Sequence, residues 1–327
     1  NGPQLKAAIN AHLEVKSWQI LSRIAPNLAR KLRLDNIGLN LLNKLRSIIA
    51  CPEFLARQRA EATAFVRTRL LPFQTLIVFL LNLNKESAQG ELDKFFQTRD
   101  SLEVAQRIVT AGALTKARRK LKYQAFTEIN DHLTTFFYQQ FPRLLWKGYR
   151  LLAADGSTVK VPKVAAVAEH FGWWNCAKGD PCPIARVSGL YDVLNRVYLD
   201  ALIAPKATGE RQLAAQHLKK AGRGDILLLD RGYPAYWLFA RMVAQGIDFC
   251  SRISATKWLI VREFAATGLN EQIVTLRPGR RERQSCPPLH VRLVRIDLGT
   301  DEPEFLITSL TDTVDIQFLG HLVEQRI

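Results

Sequence analysis

The stretch Leu151–Thr158 (LLAADGST) decides the fold expected for this chain, because an apolar run leads directly into Asp155 and a glycine. A second stretch, Ile226–Tyr233 (ILLLDRGY), repeats the design and places Asp230 after its apolar run. Each pattern predicts a buried strand, apolar on both faces, that delivers a carboxylate where the chain leaves the sheet. Asp-Gly after a strand is also ordinary turn chemistry, so only the two motifs together indicate a shared site. Carboxylates on neighbouring strands can share a divalent cation, which prefers oxygen ligands.

The segment between these two strands gives them a specific order. Ala185–Asp192 and Val197–Ala204 are predicted to form the two strands of a tight hairpin. Thr208 then opens a helix that runs to about Lys220, and the glycines that follow lead into the strand before Asp230. Strand, hairpin, helix and strand, with carboxylates on the first and last strands, is the order of an RNase H-like nuclease core.

Two further regions are expected around this α/β core. Residues 1–142 carry apolar residues at helical spacing and predict an all-helical N-terminal region, with helices that include Phe54–Leu71 and Val104–Thr110. Pro142 breaks that pattern, so the RNase H-like domain is expected at 143–327. Within it, residues 254–310 alternate turns with short β-like runs, one of them Trp258–Arg262, and predict an all-β insertion.

Short motifs in and before this core match a known family. They are ADGS at 154–157, PIARVS at 183–188, YDV at 191–193, GER at 209–211, DRGY at 230–233 and, upstream, ARRKL at 117–121. The chain resembles the DDE transposases of bacterial insertion sequences, in the branch named after insertion sequence four. The resemblance implies that Asp155 and Asp230 are the first two members of a catalytic triad that a later glutamate completes. It also implies two bound Mg²⁺ (or Mn²⁺) ions.

The same resemblance implies a biological setting. The expected partner is double-stranded DNA, both transposon ends and target, and the expected reactions are cleavage and strand transfer. We expect a homo-oligomer on DNA in the bacterial cytoplasm, associated with the nucleoid. Two other functions remain open: a metal-dependent nuclease on the same core, and a DNA-binding transposase remnant that does not cut.

The third carboxylate is the weakest part of the match. In the resembled family the closing helix carries tyrosine, two residues, arginine, three residues and then glutamate. Arg326 fits the arginine, which puts Val323 at the tyrosine position and the glutamate beyond Ile327. Glu324 falls too early, and Glu304 does not follow the pattern. We therefore expect a reading frame that extends past Ile327. The 1–327 chain should retain DNA binding and a weak affinity for metal, but it should neither hydrolyse DNA nor transfer strands.

Charge points to a polyanionic partner. The chain of 327 residues has a net charge of +16, which favours salt-dependent binding to nucleic acid. Thr110 can cap a helix that runs to about Leu121. The basic face of this helix either contacts DNA phosphates or is merely solvated. The loop 277–283 is the densest basic run and raises the same alternatives. The residues predicted to contact DNA are Lys116, Arg118, Arg119, Lys120, Lys122, Arg231, Tyr233, Arg280, Arg281 and Arg326.

Several function classes receive no support from the sequence. The most apolar stretch, Leu70–Leu83, is interrupted by polar residues and is too short for a membrane span, so no membrane partner is expected. The 5 cysteines are scattered, which favours reduced thiols over disulfides. We see neither a Ser/His/Asp arrangement nor a Gly-rich phosphate loop, so acyl transfer and nucleotide hydrolysis are not predicted.

Overall fold

The computed structural model describes residues 26–67, 69–82, 86–175, 180–279, 287–296 and 303–312, with side chains from residue 36 onward. The chain divides into two compact units, Asn1–Phe141 and Pro142–Ile327. In the described ranges, no helix combines the length and the apolar character that a bilayer crossing requires.

The described part of the first unit is helical. Its helices are α1 (Pro26–Ala50), α2 (Pro52–Gln58), α3 (Phe73–Leu81), α4 (Ala88–Arg99), α5 (Ala111–Arg118) and α6 (Gln124–Gln140). Phe54, Phe73 and Ile77 are almost fully buried and join α2 and α3 in one apolar cluster. Leu76, Leu92 and other buried residues form a second cluster, so α3 contributes to both.

Two predicted helices of this unit are wrong. Phe54–Leu71 is helical only as far as Gln58, because the next residues pair with another part of the chain: Arg59 forms a β-bridge with Leu121, and the Ala60 N–H donates to the Lys120 carbonyl at 2.8 Å. The segment Val104–Thr110 contains no helix either. Its last residue instead caps α5, where the Thr110 hydroxyl accepts from the Ala113 N–H at 3.2 Å.

The described part of the second unit is built on one nine-stranded mixed sheet. Its strands are β1 (Arg150–Lys160), β2 (Trp173–Trp174), β3 (Cys182–Asp192), β4 (Val197–Pro205), β5 (Asp225–Leu229), β6 (Asp248–Ile253), β7 (Glu271–Leu276), β8 (Leu289–Ile296) and β9 (Glu304–Thr308). The sheet order is β2-β3-β1-β5-β6-β9-β8-β7, and β4 also pairs with β3, along Ala185–Asp192.

The central strands have the order and the burial that the sequence predicts. β1 is antiparallel to β3 and parallel to β5, and β5 is parallel to β6. Leu151–Ala154 and all of β5 are buried, whereas Asp155 and Asp230 are exposed. The apolar runs therefore form the middle of the sheet, and each aspartate stands at the point where its strand leaves the core.

The helices of this unit are α7 (Ala165–Phe171), α8 (Glu210–His217), α9 (Tyr236–Ala244) and α10 (Leu259–Thr267). A 3-10 turn at Leu218–Lys220 follows α8 and completes the helical segment predicted to reach Lys220. α8 packs against β1 and β3, and α9 packs against β6. Phe239 of α9 and Phe249 of β6 are fully buried and stack with ring centroids 4.2 Å apart.

The region 254–310 is not all-β. Trp258–Arg262, predicted as a β-like run, is the start of α10, because Val261 and Phe264 lie one helical turn apart and are both buried. The strands β7, β8 and β9 do form, but they extend the central sheet through the pairing of β9 with β6. The region is thus a β-rich extension of the sheet with one helix.

Candidate active site

Asp155 and Asp230 occupy matching positions on neighbouring parallel strands. The pairing of β1 with β5 ends at Ala153 and Leu228, and each aspartate lies two residues beyond its member of that pair. Neighbouring strands lie about 4.8 Å apart, so the register brings the two backbones to the same edge of the sheet. β1 continues past this point alongside β3 only. From Ala154 onward, the side of β1 that faces β5 therefore has no strand partner among the described residues.

Glu210 lies at this edge as well. It is the first residue of α8, and it pairs with Arg186 of β3. A Cβ atom at residue 156 would lie 3.2 Å from the Glu210 Cγ, and one at residue 232 would lie 3.4 Å from its Oε2. Both positions are glycine, so the side chain of Glu210 fits between the segments that follow the two aspartates. In the sequence, Glu210 stands out only as part of the GER motif at 209–211.

Tyr233 is buried beneath these carboxylates. Its side chain is 2% exposed, and its hydroxyl is close to Gly156 and has no hydrogen-bond partner among the described residues. Burial raises the pKa of this hydroxyl above its ordinary value, and the negative charges of Asp155, Glu210 and Asp230 raise it further. A side chain buried to this extent cannot reach DNA, so burial argues against the direct DNA contact that the sequence predicts for Tyr233.

Arg252 is a second residue that the sequence analysis missed. Its Nη1 lies 3.3 Å from Asp230 Oδ1, and its Nη2 lies 2.8 Å from Glu304 Oε1. Arg231, predicted to contact DNA, also pairs with Glu304 and is half exposed. Glu304 is therefore paired with two arginines. An arginine in the strand that follows the Asp230 strand along the chain was the signal available for Arg252.

The donor set at this edge suits a hard divalent cation. Asp155, Glu210 and Asp230 offer only oxygen atoms, and the unpartnered hydroxyl of Tyr233 lies within their field. Across the described ranges, no three His, Cys, Asp or Glu side chains are already arranged to hold a metal ion. Glu210 and Asp230 each face an arginine instead, Arg186 and Arg252 respectively.

The basic residues predicted to contact DNA separate into groups. Lys116 and Lys120 line a cavity of about 970 Å³ together with Arg67 and Arg69. Arg118 and Arg119 are exposed at the end of α5, whereas the Lys122 ammonium donates to a backbone carbonyl at 3.0 Å. Arg280, Arg281 and Arg326 lie outside the described residues.

A Ser/His/Asp arrangement is present after all, in a buried position. His217 Nε2 lies 3.0 Å from the Ser188 hydroxyl, and His217 Nδ1 lies 2.9 Å from Asp200 Oδ2. The three residues belong to different elements, so their sequence spacing did not show it. Ser188 is only 4% exposed and His217 is fully buried. The network therefore ties α8 to β3 and β4.

We expect Ser188 to be unreactive toward a fluorophosphonate probe, because a nucleophile without access to the reagent cannot be acylated or phosphonylated. Mass spectrometry of the probe-treated, folded chain would measure this, with urea-unfolded chain as the comparison. An adduct on Ser188 in the folded chain would contradict a purely structural role for the network.

Comparison with known proteins identifies the second unit. A family model described as "Transposase DDE domain" matches residues 146–309, half of the chain. The chain belongs to the transposase DDE domain family. The match begins just before β1 and ends just after β9, so it includes Asp155, Glu210 and Asp230.

Among solved structures, the chain is similar to piggyBac transposase in its synaptic complex with hairpin DNA, with 10% sequence identity and a TM-score of 0.39. The similar region covers 83% of this chain and 59% of the piggyBac chain. No curated protein sequence gives a significant match.

Proposed function

We propose that this chain is a DNA transposase of the insertion-sequence-four branch, with an RNase H-like catalytic domain in its second unit. The observation that supports this most is the placement of Asp155 and Asp230 at matching positions beyond paired, parallel strands. Membership of the transposase DDE domain family supports the same reaction class. The helical first unit would bind DNA.

In this proposal Asp155 and Asp230 hold divalent cations, Mg²⁺ or Mn²⁺. When bound, such ions supply activation of the attacking hydroxyl and stabilisation of the leaving oxygen in an in-line phosphodiester displacement. The chain's own residues position them: the β1–β5 register fixes the two carboxylates, and Arg252 holds the Asp230 side chain from β6. Arg231, half exposed beside Asp230, would exchange its ion pair with Glu304 for one with a DNA phosphate.

Strand-transfer products distinguish this function from the nuclease alternative. The protein as its gene encodes it would be incubated with DNA carrying the transposon ends, a target plasmid and Mg²⁺. We expect insertions flanked by a short target-site duplication. Cleavage without joined products would support a nuclease, and specific end binding without cleavage would support a remnant. The requirement for a glutamate after Ile327 stays a prediction.

DNA affinity should fall steeply with salt, since neutralised phosphates release counterions. Reversing the charges of Lys116, Arg119 and Lys120 together should weaken binding to transposon-end and random duplexes alike. If all three residues contact phosphates, the negative slope of log affinity against log salt concentration should become shallower by roughly 3. Fluorescence anisotropy of labelled duplexes at several salt concentrations would measure it.

The matched control reverses the same number of charges elsewhere on the helical unit, at Arg46, Lys94 and Arg107. We expect this control to change the slope less than the α5 variant does. Loss of binding to the transposon end alone would show that α5 reads bases. Equal behaviour of the two triple variants would mean that the α5 face is merely solvated.

A further inference from the structure

Glu210 occupies space that two glycines keep free. A side chain at residue 156 would begin 3.2 Å from the Glu210 Cγ, and one at residue 232 would begin 3.4 Å from its Oε2. Gly156 directly follows Asp155, and Gly232 is two residues after Asp230. The carboxyl group that begins α8 is therefore placed between the two segments that carry the proposed metal ligands.

An unpartnered hydroxyl marks the same place. Tyr233 is 2% exposed, and its hydroxyl has no hydrogen-bond partner among the described residues. A Cβ at residue 156 would lie 3.4 Å from that hydroxyl, so it faces the Glu210 side of β1. Buried polar atoms nearly always have a partner, and an exception calls for an unseen water or ion.

The acidic residues on the neighbouring segments indicate the charge of such a ligand. Asp155 precedes Gly156, Asp230 lies two residues before Gly232, and the side chain of Glu210 lies against both glycines. Three carboxylates on these segments favour a cation, and the Tyr233 hydroxyl can donate a hydrogen bond to an oxygen atom that is bound to it.

We propose that Glu210 is an additional carboxylate ligand of the divalent-cation site at Asp155 and Asp230, distinct from the later glutamate that the family resemblance implies. In the structure its carboxylate is paired with Arg186, whose side chain is 18% exposed. Cation binding exchanges this ion pair for coordination, which explains why the three carboxylates do not converge in the structure. The inference rests on the proposed function, because it requires a cation at the two aspartates.

The test is Mn²⁺ binding to the 1–327 chain without DNA, measured by electron paramagnetic resonance of the free ion. Glu210→Gln should weaken Mn²⁺ binding by about tenfold or more, on the scale that affinity changes when the groups around a metal are altered. Glu169→Gln, an exposed glutamate of α7, is the matched control and should leave the affinity unchanged. Wild-type affinity in Glu210→Gln would overturn the inference.

Arg186→Gln separates a metal ligand from a structural ion pair. Removing the guanidinium frees Glu210, so Mn²⁺ should bind more tightly than to the wild type. A purely structural pair predicts unchanged or weaker binding, which would contradict the exchange. Circular dichroism would verify folding. If Glu210→Gln does not fold, Glu210→Asp takes its place, because it keeps the charge but shortens the side chain, and it should also weaken Mn²⁺ binding.

Asp155→Asn distinguishes failure of this inference from failure of the proposed function. If Asp155→Asn weakens Mn²⁺ binding and Glu210→Gln does not, only the role of Glu210 is overturned. If neither variant changes the affinity, the proposed metal site at the end of β1 and β5 is itself wrong.

Discussion

Strand cleavage and strand transfer are expected to fall by at least about 10³-fold when Asp155 or Asp230 is replaced by asparagine in the protein as its gene encodes it. Bound cations contribute several kcal/mol of transition-state stabilisation, and each tenfold change in rate corresponds to about 1.4 kcal/mol. Asparagine keeps the size of the side chain and removes its charge, so the fold should persist. Gel analysis of DNA products at saturating Mg²⁺ would measure the effect.

The matched control for this prediction is Asp180→Asn. Asp180 belongs to the same unit, but its side chain is 90% exposed and only a loose ion pair of 3.7 Å joins it to Lys163. Its replacement should leave cleavage unchanged. Mg²⁺-dependent cleavage at the wild-type rate in Asp155→Asn would remove this residue from the site.

Asp225→Ala is expected to destabilise the chain by about 3 kcal/mol or more, because it leaves a largely buried guanidinium unpaired. Asp225 and Arg150 are register partners at the start of β5 and β1, and the carboxylate accepts from Arg150 Nε at 2.8 Å and Nη2 at 2.6 Å. The Gly222 N–H donates to the same group at 2.8 Å. Urea unfolding followed by tryptophan fluorescence would measure the loss.

The double variant Arg150→Met/Asp225→Leu tests the origin of that loss. Apolar replacement of both members of a buried ion pair is often neutral, so this variant should recover most of the lost stability. A double variant as unstable as Asp225→Ala would assign the loss to the hydrogen bond with Gly222. Either result bears on the site, since Arg150 and Asp225 are the first partners in the β1–β5 register that aligns Asp155 with Asp230.

The parts of the site that the sequence predicts are those carried by local pattern. Leu151–Ala154 and Ile226–Leu229 are continuous apolar runs, so their burial, their strand character and the exposure of the following aspartates could all be predicted. The hairpin and the helix between them follow from turn residues and periodicity. Pairing then has few alternatives, because a short hairpin must be antiparallel and a helical crossover makes its strands parallel.

The remaining parts depend on contacts between residues that are distant in sequence. Helix α2 ends at Gln58 because the chain pairs with Leu121 and its neighbours, which no local pattern at 59–71 reveals. Ser188, Asp200 and His217 meet only when β3, β4 and α8 assemble. Arg252 reaches Asp230 from the adjacent strand, so its role required the sheet order.

The fit of Glu210 against Gly156 and Gly232 has a consequence for how this family can vary. Neither glycine has a positive φ angle, so glycine is needed at these positions for the space it leaves and not for a special backbone conformation. The size of residue 156 and the length of residue 210 are then coupled. Homologues with alanine or serine after the first aspartate should carry a shorter residue at the start of α8, and a chain that exchanges one without the other should lose metal affinity before it loses its fold.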